Sequence, residues 1–405
     1  MDIPKPIHPF PARMAASIPW SVLENHGAVG PLRVLDPMAG SGTTLVVARK
    51  LGHEALGFDT DPLAALIASA WCTDVDEGQV LRVSQRVEVD ATEEWRSIHP
   101  SDAYPPGADP ETRDFVEYWY DLRNRQQLAA LARRITEVKP RSMRQLLWCA
   151  FSRLIVVKQA GASLAMDVAH SRPHRKYDRA PIEPVGVFLR SAQRVLAASP
   201  FKITAESEAP PIANMRVGDA RDLPLERRTI DMVVTSPPYL NAIDYLRGHK
   251  LSLVWMRHSI SALRELRSTN IGTEAGAGRS LAPDRALQGA FHAGLREGEL
   301  PRSQAGMFTR YLDDMRTVLV EIRRVLKDNG QAVIVVGDCT VRGTFVKNSA
   351  AIKSLAAETG LRPVAERTRS LPANRRYLPP PQAKDAGHKL AKRMRKEVVL
   401  TFAAA

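Results

Sequence analysis

The most constraining feature of the sequence is a pair of consecutive strand–turn–helix units near its start. Residues 32–35 are an apolar run that leads into a glycine-containing turn, and residues 45–51 then have a helical pattern. Residues 55–58 are a second apolar run, followed by a polar turn and by a helical pattern at residues 63–71. Two such units in succession predict an α/β fold with a parallel, doubly wound sheet.

The chain has 405 residues, enough for two or three domains at roughly 150 residues each. Further strands are predicted at residues 215–219, 231–235, 332–336 and 398–402, and a helix at residues 311–326 is predicted to stop at Asn329-Gly330. Between these α/β segments the pattern changes to proline-rich connectors and helical segments, the latter at residues 115–135 and 143–158. We therefore predict one domain from residues 1–73 and 212–405, with an insertion at about 250–304, and a mostly helical insertion at 74–211.

Charge and cysteine content limit the class of protein. Lys and Arg number 57 against 44 Asp and Glu, and the net charge of +13 suits a polyanionic partner, although a merely basic globular protein has the same balance. The three cysteines have no metal-type or redox spacing, so a disulfide framework is excluded and a reducing cytoplasm is favoured. Neither a signal-like N-terminus nor a run of eighteen apolar residues occurs, so we expect no export and no membrane span.

The glycine turn predicts a nucleoside cofactor without a pyrophosphate. A phosphate-binding P-loop needs a lysine after its last glycine, and none follows Gly42. A dinucleotide fingerprint needs a third small residue where this chain has Leu45. Asp59, at the end of the second strand, could take both ribose hydroxyls, or it could cap the helix at Pro62.

Carboxylates also follow other predicted strands. Asp36 ends the first strand and Asp219 ends the third, and the carboxyl ends of parallel strands share one edge of a sheet. Several carboxylates around one crevice would suit a cation, such as a sulfonium with an ammonium tail.

The tetrad Ser236-Pro237-Pro238-Tyr239 follows the predicted strand at residues 231–235. Its two prolines remove backbone donors and stiffen the chain, so that hydrogen-bond acceptors and an aromatic ring remain. The Ser236 side chain and the Pro237 carbonyl could hold the two hydrogens of an amino group on an aromatic base, whose lone pair would then face an electrophile. Tyr239 could stack on that base. The alternative is an ordinary proline-stiffened loop with a buried tyrosine.

These two motifs resemble those of the DNA amino-methyltransferases that use S-adenosylmethionine (SAM). The resemblance covers roughly residues 6–72, 213–250 and 311–402. It implies a Rossmann-like sheet of the class I SAM methyltransferase type, with target recognition in the inserted segments. The sequence departs from the family at Met38, where a phenylalanine is frequent. The resemblance also implies that the catalytic residues are Ser236, Pro237, Pro238 and Tyr239. The cofactor residues that it implies are His8, Phe10, Asp36, Pro37, Met38, Ala39, Gly40, Ser41, Gly42, Thr43, Thr44, Asp59, Asp61 and Asp219.

The target atom follows from the cysteines and from Ser236. Carbon-5 methylation of cytosine needs a cysteine thiolate, typically after proline, whereas here two cysteines follow tryptophan and one follows aspartate, so that all three are expected in the core. In the resembled family, serine in the tetrad goes mostly with cytosine N4, and aspartate or asparagine with adenine N6. We therefore expect direct transfer from SAM to the N4 amino group of a cytosine flipped out of double-stranded DNA, with adenine N6 as the alternative. An inert DNA-binding protein and an RNA methyltransferase are further alternatives.

Two basic segments predict contacts with phosphates. Residues 362–396 hold 11 Lys or Arg and two acidic residues, and residues 170–176 form a second cluster. Pro173 separates His170 from His174 and no third ligand is evident, so no metal site is predicted. A cognate restriction endonuclease is a further expected partner, and we expect the protein on the nucleoid in the cytoplasm of a prokaryote. The predicted nucleic-acid contacts are Arg172, His174, Arg175, Lys176, Arg375, Arg376, Lys392 and Arg393.

Overall fold

The computed structural model describes residues 3–11, 13–24, 30–203, 211–240, 244–272, 284–295, 300–341, 344–371 and 396–404. The helices are α1 (Ser17–Leu23), α2 (Thr43–Lys50), α3 (Pro62–Trp71), α4 (Glu77–Glu94), α5 (Pro110–Trp119), α6 (Leu122–Glu137), α7 (Arg141–Ile155), α8 (Phe188–Ala198), α9 (Leu246–Leu253), α10 (Ile260–Thr269), α11 (Arg285–Gly294), α12 (Arg302–Val325) and α13 (Asn348–Glu358). The strands are β1 (Arg33–Asp36), β2 (Glu54–Asp59), β3 (Ala165–Met166), β4 (His174–Arg175), β5 (Ala213–Val217), β6 (Ile230–Thr235), β7 (Leu326–Gly337), β8 (Cys339–Val341), β9 (Thr344–Val346), β10 (Leu361–Ser370) and β11 (Lys396–Ala404).

The main sheet has seven strands in the order β10-β11-β7-β6-β1-β2-β5. The pairs β1–β6, β6–β7 and β2–β5 are parallel, whereas β11 runs antiparallel to both of its neighbours. The chain starts at the central β1, continues outwards through β2 and β5, and then returns to the other side of β1 with β6, which makes the sheet doubly wound. The prediction of an α/β fold with a Rossmann-like, mostly parallel sheet is confirmed.

The chain divides into two compact units. The first comprises Met1–Val29, Ala39–Val217 and Ile243–Arg267, and the second comprises Gly30–Met38, Gly218–Ala242 and Ser268–Ala405. The segment 74–211 belongs to the first unit, where it contributes α4 to α8 and the β3–β4 hairpin. Its predicted role as a separate recognition insertion stays a prediction. Among the described residues no helix is both long and apolar enough to cross a bilayer.

The core of the first unit is built around α3. Apolar residues on every face of this helix, including Leu63, Ile67 and Trp71, are buried. Its start is fixed by Asp61, whose Oδ1 accepts a hydrogen bond from the Leu63 amide at 2.9 Å, and by Pro62 in the first turn. The interpretation of Asp59 as the cap of this helix is therefore wrong.

Three predicted boundaries need correction. The segment at residues 115–135 is two helices rather than one, because Asp121 caps α6 by accepting a hydrogen bond from the Asn124 amide at 2.9 Å. Helix α12 begins at Arg302, well before the predicted start, since buried residues continue one face of the helix towards its N-terminus. Asn329-Gly330 lies within β7 and not after a helix end. The pairing of β7 with β6 is irregular there, so the turn-forming dipeptide makes a strand irregularity instead of a helix stop.

Candidate active site

Two glycines shape the turn between β1 and α2. Gly40 has φ +52 and Gly42 has φ +88, both in the left-handed region that glycine adopts without strain. A Cβ at Gly42 would lie 2.6 Å from Ala68 Cβ in α3, so the close approach of turn and helix also requires glycine. A Cβ at Gly40 would lie 3.6 Å from the ring of Phe10. The turn is thus packed between a buried helix and the N-terminal segment of the same unit.

Asp59 holds this turn from the end of β2. Its Oδ2 accepts a hydrogen bond from the Gly40 amide at 2.8 Å, and its Oδ1 accepts one from the Asp61 amide at 2.9 Å. A carboxylate has about four acceptor positions, so two amide donors do not exhaust its capacity. Asp59 can therefore shape the turn and also accept hydrogen bonds from vicinal hydroxyls.

The N-terminal segment is fixed by buried polar contacts. His8 is buried, and its Nε2 lies 2.5 Å from the hydroxyl of Ser152. Arg13 donates to the His8 carbonyl at 2.8 Å, and Arg153 donates to the Ile7 carbonyl at 2.5 Å. These bonds fix the backbone on either side of His8.

The imidazole of His8 is neutral at physiological pH. Burial lowers its pKa well below the ordinary value, and the positive charge of Arg153 acts in the same direction, as do His249 and Arg13. With Nε2 engaged by Ser152, the buried Nδ1 has no hydrogen-bond partner among the described residues. The buried Ser41 hydroxyl in the glycine turn likewise has none. Buried polar groups are rarely left unsatisfied. His8 Nδ1 and Ser41 Oγ could therefore each accept a hydrogen bond from a ligand or donate one to it.

The Ser-Pro-Pro-Tyr corner belongs to the second unit. Ser236 follows β6 directly, and its Oγ donates to the Val335 carbonyl of β7 at 3.2 Å. Because this bond uses the only hydroxyl hydrogen, the lone pairs of Oγ remain acceptors. The Tyr239 hydroxyl donates to Glu397 Oε1 of β11 at 3.2 Å, which ties the phenol end of the ring to the sheet.

The start of the glycine turn also belongs to the second unit. In the parallel pairing of β1 with β6, Leu35 is in register with Val233, so Asp36 and Ser236 follow at the same end of neighbouring strands. Asp36 is buried, and its Oδ1 accepts a hydrogen bond from the Met38 amide at 3.2 Å. In doubly wound sheets, ligands bind at the carboxyl ends of the strands where the strand order reverses. In this sheet the order reverses between β1 and β6.

Asp219 is engaged by an arginine that sequence reasoning missed. Arg221 bonds Asp219 through its backbone amide at 2.9 Å and through its guanidinium at 2.6 Å, and it also bonds Asp314 at 2.7 Å. Burial works to raise the pKa of Asp219, but the hydrogen bonds and charge of Arg221 hold this pKa below its ordinary value. Asp219 thus stays ionised, and its assignment to the adenine amino group stays a prediction.

The cysteines are unsuited to nucleophilic catalysis. Cys72 and Cys149 are buried as predicted, whereas Cys339 is only half-buried. Burial raises the pKa of each thiol to about 12, so a thiolate is scarce at neutral pH.

The basic cluster at residues 170–176 lies in the β3–β4 hairpin, where it covers most of the connection and β4. Arg172, His174, Arg175 and Lys176 are exposed, and the Arg175 guanidinium lies 5.5 Å from the ring centroid of Tyr118. A chain of exposed cations of this kind is suited to phosphate contact. The other predicted contacts, Arg375, Arg376, Lys392 and Arg393, lie outside the described residues.

Comparisons with known proteins gave a short sequence match and structural matches with low TM-scores. No family model matches the chain. It is 37% identical over 62 residues to the type II methyltransferase M.MjaII of Methanocaldococcus jannaschii, a match that spans 15% of this chain and 12% of that protein. Among solved structures, a TehB-like SAM-dependent methyltransferase of Corynebacterium glutamicum matches with 11% identity, 96% of each chain covered and a TM-score of 0.28. A candidate DNA modification methylase of Thermus thermophilus matches with 18% identity, 46% of this chain and 50% of its own covered, and a TM-score of 0.22.

Proposed function

We propose that this protein is a DNA methyltransferase that transfers the methyl group of SAM to the N4 amino group of cytosine in double-stranded DNA. The observation that carries the proposal is the register of β1 with β6, by which Asp36 of the glycine turn and Ser236 of the tetrad follow at the same end of adjacent strands. The local identity to a type II methyltransferase supports methyl transfer in general and does not distinguish cytosine N4 from adenine N6.

The cofactor of this proposal is SAM, which supplies an activated methyl group on a sulfonium. Asp59 would accept hydrogen bonds from the ribose hydroxyls, and the hydrogen bond from the Gly40 amide keeps its carboxylate in place. The unpartnered His8 Nδ1 and Ser41 Oγ fit a ligand that carries both an ammonium and a carboxylate group. Asp219 would contact the adenine, and the residues of the glycine turn, together with Phe10 and Asp61, would line the cofactor. The lining residues are Phe10, Asp36, Pro37, Met38, Ala39, Gly40, Gly42, Thr43, Thr44 and Asp61.

Catalysis in this proposal is the orientation of a weak nucleophile. Ser236 Oγ and the Pro237 carbonyl accept the two hydrogens of the base amino group, since the bond to Val335 leaves Oγ as an acceptor. Pro237 and Pro238 present no backbone donor that would compete. Tyr239 stacks on the flipped base while Glu397 holds its hydroxyl. Bound SAM would supply an electrophilic methyl carbon in line with the amino lone pair that these acceptors orient, and the proton that the nitrogen gives up would pass to solvent.

The target and partners follow from the tetrad and the basic hairpin. Serine at position 236 favours cytosine N4, and adenine N6 is the second candidate because the same acceptors fit either amino group. The exposed cations of the β3–β4 hairpin contact the DNA backbone, together with Arg375, Arg376, Lys392 and Arg393. We further propose that a cognate restriction endonuclease is a partner of this protein. We also propose that the protein lies on the nucleoid of a prokaryotic cell.

The test is incubation of the purified protein with SAM and unmodified genomic DNA, followed by nuclease digestion and mass spectrometry of the nucleosides. We expect N4-methylcytosine. The appearance of N6-methyladenine without N4-methylcytosine would refute the cytosine assignment. SAM binding without transfer to any DNA would favour an inert DNA-binding protein. A parallel reaction on RNA tests the remaining alternative.

A further inference from the structure

The helix that follows the tetrad carries a buried histidine to which the proposed chemistry gives no role. His249 lies in α9 with no exposed surface, and its Nδ1 is 2.5 Å from Asp61 Oδ2. Asp61 is also buried, at 6% exposure, and its other carboxylate oxygen caps α3. A buried carboxylate is costly unless each oxygen is paired, so His249 satisfies the oxygen that the helix cap leaves over.

This pair continues into the glycine turn. The Asp61 amide donates to Asp59 Oδ1, and Asp59 Oδ2 accepts from the Gly40 amide. The hydrogen bonds therefore run without a break from His249 through Asp61 and Asp59 to Gly40. Because both oxygens of Asp59 are held by amides, the direction of this carboxylate depends on the position of Asp61.

His249 also supports the turn by packing. Its ring centroid lies 5.0 Å from that of Phe10, and Phe10 is the side chain that a Cβ at Gly40 would meet at 3.6 Å. The half-buried Tyr245 stacks on Phe10, with ring centroids 5.9 Å apart. The same imidazole thus supports the carboxylate by hydrogen bonds and the glycine turn by an aromatic contact.

We infer that His249 is a positioning residue that, through Asp61, aims the Asp59 carboxylate at the ribose hydroxyls of the cofactor. This inference rests on the proposed function. Without the imidazole, Asp61 Oδ2 is buried and unpaired, and the carboxylate must turn to find another donor. The Asp61 amide then moves, and Asp59 loses the orientation that two vicinal hydroxyls require.

The variants His249→Leu and His249→Asn separate the hydrogen bond from the packing. Leucine fills the space but donates no hydrogen bond, whereas the amide of asparagine can donate from about the position of Nδ1. Ser252→Ala is the matched control, because Ser252 is fully buried in the same helix and its hydroxyl has no partner among the described residues. Circular dichroism and thermal unfolding verify folding. Should the leucine variant not fold, His249→Gln replaces it, since its longer amide does not reproduce Nδ1.

The measurement is calorimetric titration with S-adenosylhomocysteine and with its 2′,3′-dideoxy analogue. We expect the wild type to prefer the intact ribose, and His249→Leu to lose about tenfold or more of its affinity for that ligand, the usual effect of a hydrogen bond to a charged group. Affinity for the dideoxy analogue should change little, and His249→Asn and Ser252→Ala should keep the preference. Equal affinity loss for both ligands, or none, in a folded His249→Leu protein would overturn the inference alone. A wild type that binds neither ligand would refute the proposed function and the inference together.

Discussion

Tyr239 of the tetrad and Glu397 of the last strand are joined by a hydrogen bond of 3.2 Å between the phenol and Oε1. The other oxygen of Glu397 lies 3.3 Å from the Arg369 guanidinium, so the acceptor is itself held by a cation in the neighbouring strand β10. The ring of Tyr239 is therefore fixed at both ends, by the proline-stiffened backbone and by its hydroxyl. A ring fixed in this way is suited to stack on a base without losing side-chain entropy on binding.

The first prediction concerns this hydrogen bond. Tyr239→Phe keeps the ring and loses the bond to Glu397, so we expect methyl transfer to fall by about threefold to tenfold. Tyr239→Ala also removes the stacking surface, and the loss should then be about a hundredfold. Single-turnover rates on a methylatable duplex measure both. Equal rates for wild type and Tyr239→Ala would exclude stacking on the target base.

The second prediction separates the two halves of the proposed chemistry. Ser236→Ala removes an acceptor for the amino group, so we expect a loss of about a hundredfold or more in methyl transfer with SAM affinity unchanged. Asp59→Ala removes the carboxylate that holds the Gly40 amide, so we expect SAM affinity to fall. Calorimetry and transfer assays on both variants provide the comparison. The reverse pattern would show that the two roles are wrongly assigned.

Much of the sheet and of the glycine turn was predictable, because these features are local in the sequence. The apolar runs of β1, β2 and β6 end at polar residues, and Gly40 and Gly42 mark the turn between the first strand and the following helix. The partners of the site residues were not predictable in this way. His249 meets Asp61 across 188 positions, and Arg221 bridges to Asp314 across 93, with no periodicity that links either pair. Such contacts arise only when the tertiary fold has formed.

The third prediction concerns acid stability and His8. Burial lowers the pKa of His8 well below its ordinary value of 6.5, so below that pH the unfolded chain takes up a proton that the folded chain does not. Stability is therefore present above pH 6.5 and is lost as the pH falls towards the folded-state pKa, with a slope of at most about 1.4 kcal/mol per pH unit from this group.

The variant His8→Gln tests this assignment. Its amide can reach Ser152 from about the position of Nε2 but does not titrate, so its unfolding free energy should depend less on pH between 6.5 and 5. Urea unfolding at a series of pH values gives the two slopes. His258, whose pKa is also lowered by burial, contributes equally in both proteins. Parallel curves for wild type and variant would show that His8 is not the group responsible.

The last prediction concerns the basic hairpin. Arg172, Arg175 and Lys176 are exposed, and a cation that contacts a phosphate displaces a counterion on binding. Replacing each by glutamine should weaken binding to DNA of any sequence and lower the slope of log affinity against log salt by about one for each lost contact. Arg86→Gln on α4 is the matched control, because this arginine is also exposed and its contact with Asp90 is a loose 4.0 Å. Fluorescence anisotropy with one duplex over a range of salt concentrations gives both slopes. If the hairpin variants and the control have the same slope as the wild type, the hairpin does not contact the DNA backbone, and the phosphate contacts must come from other basic residues.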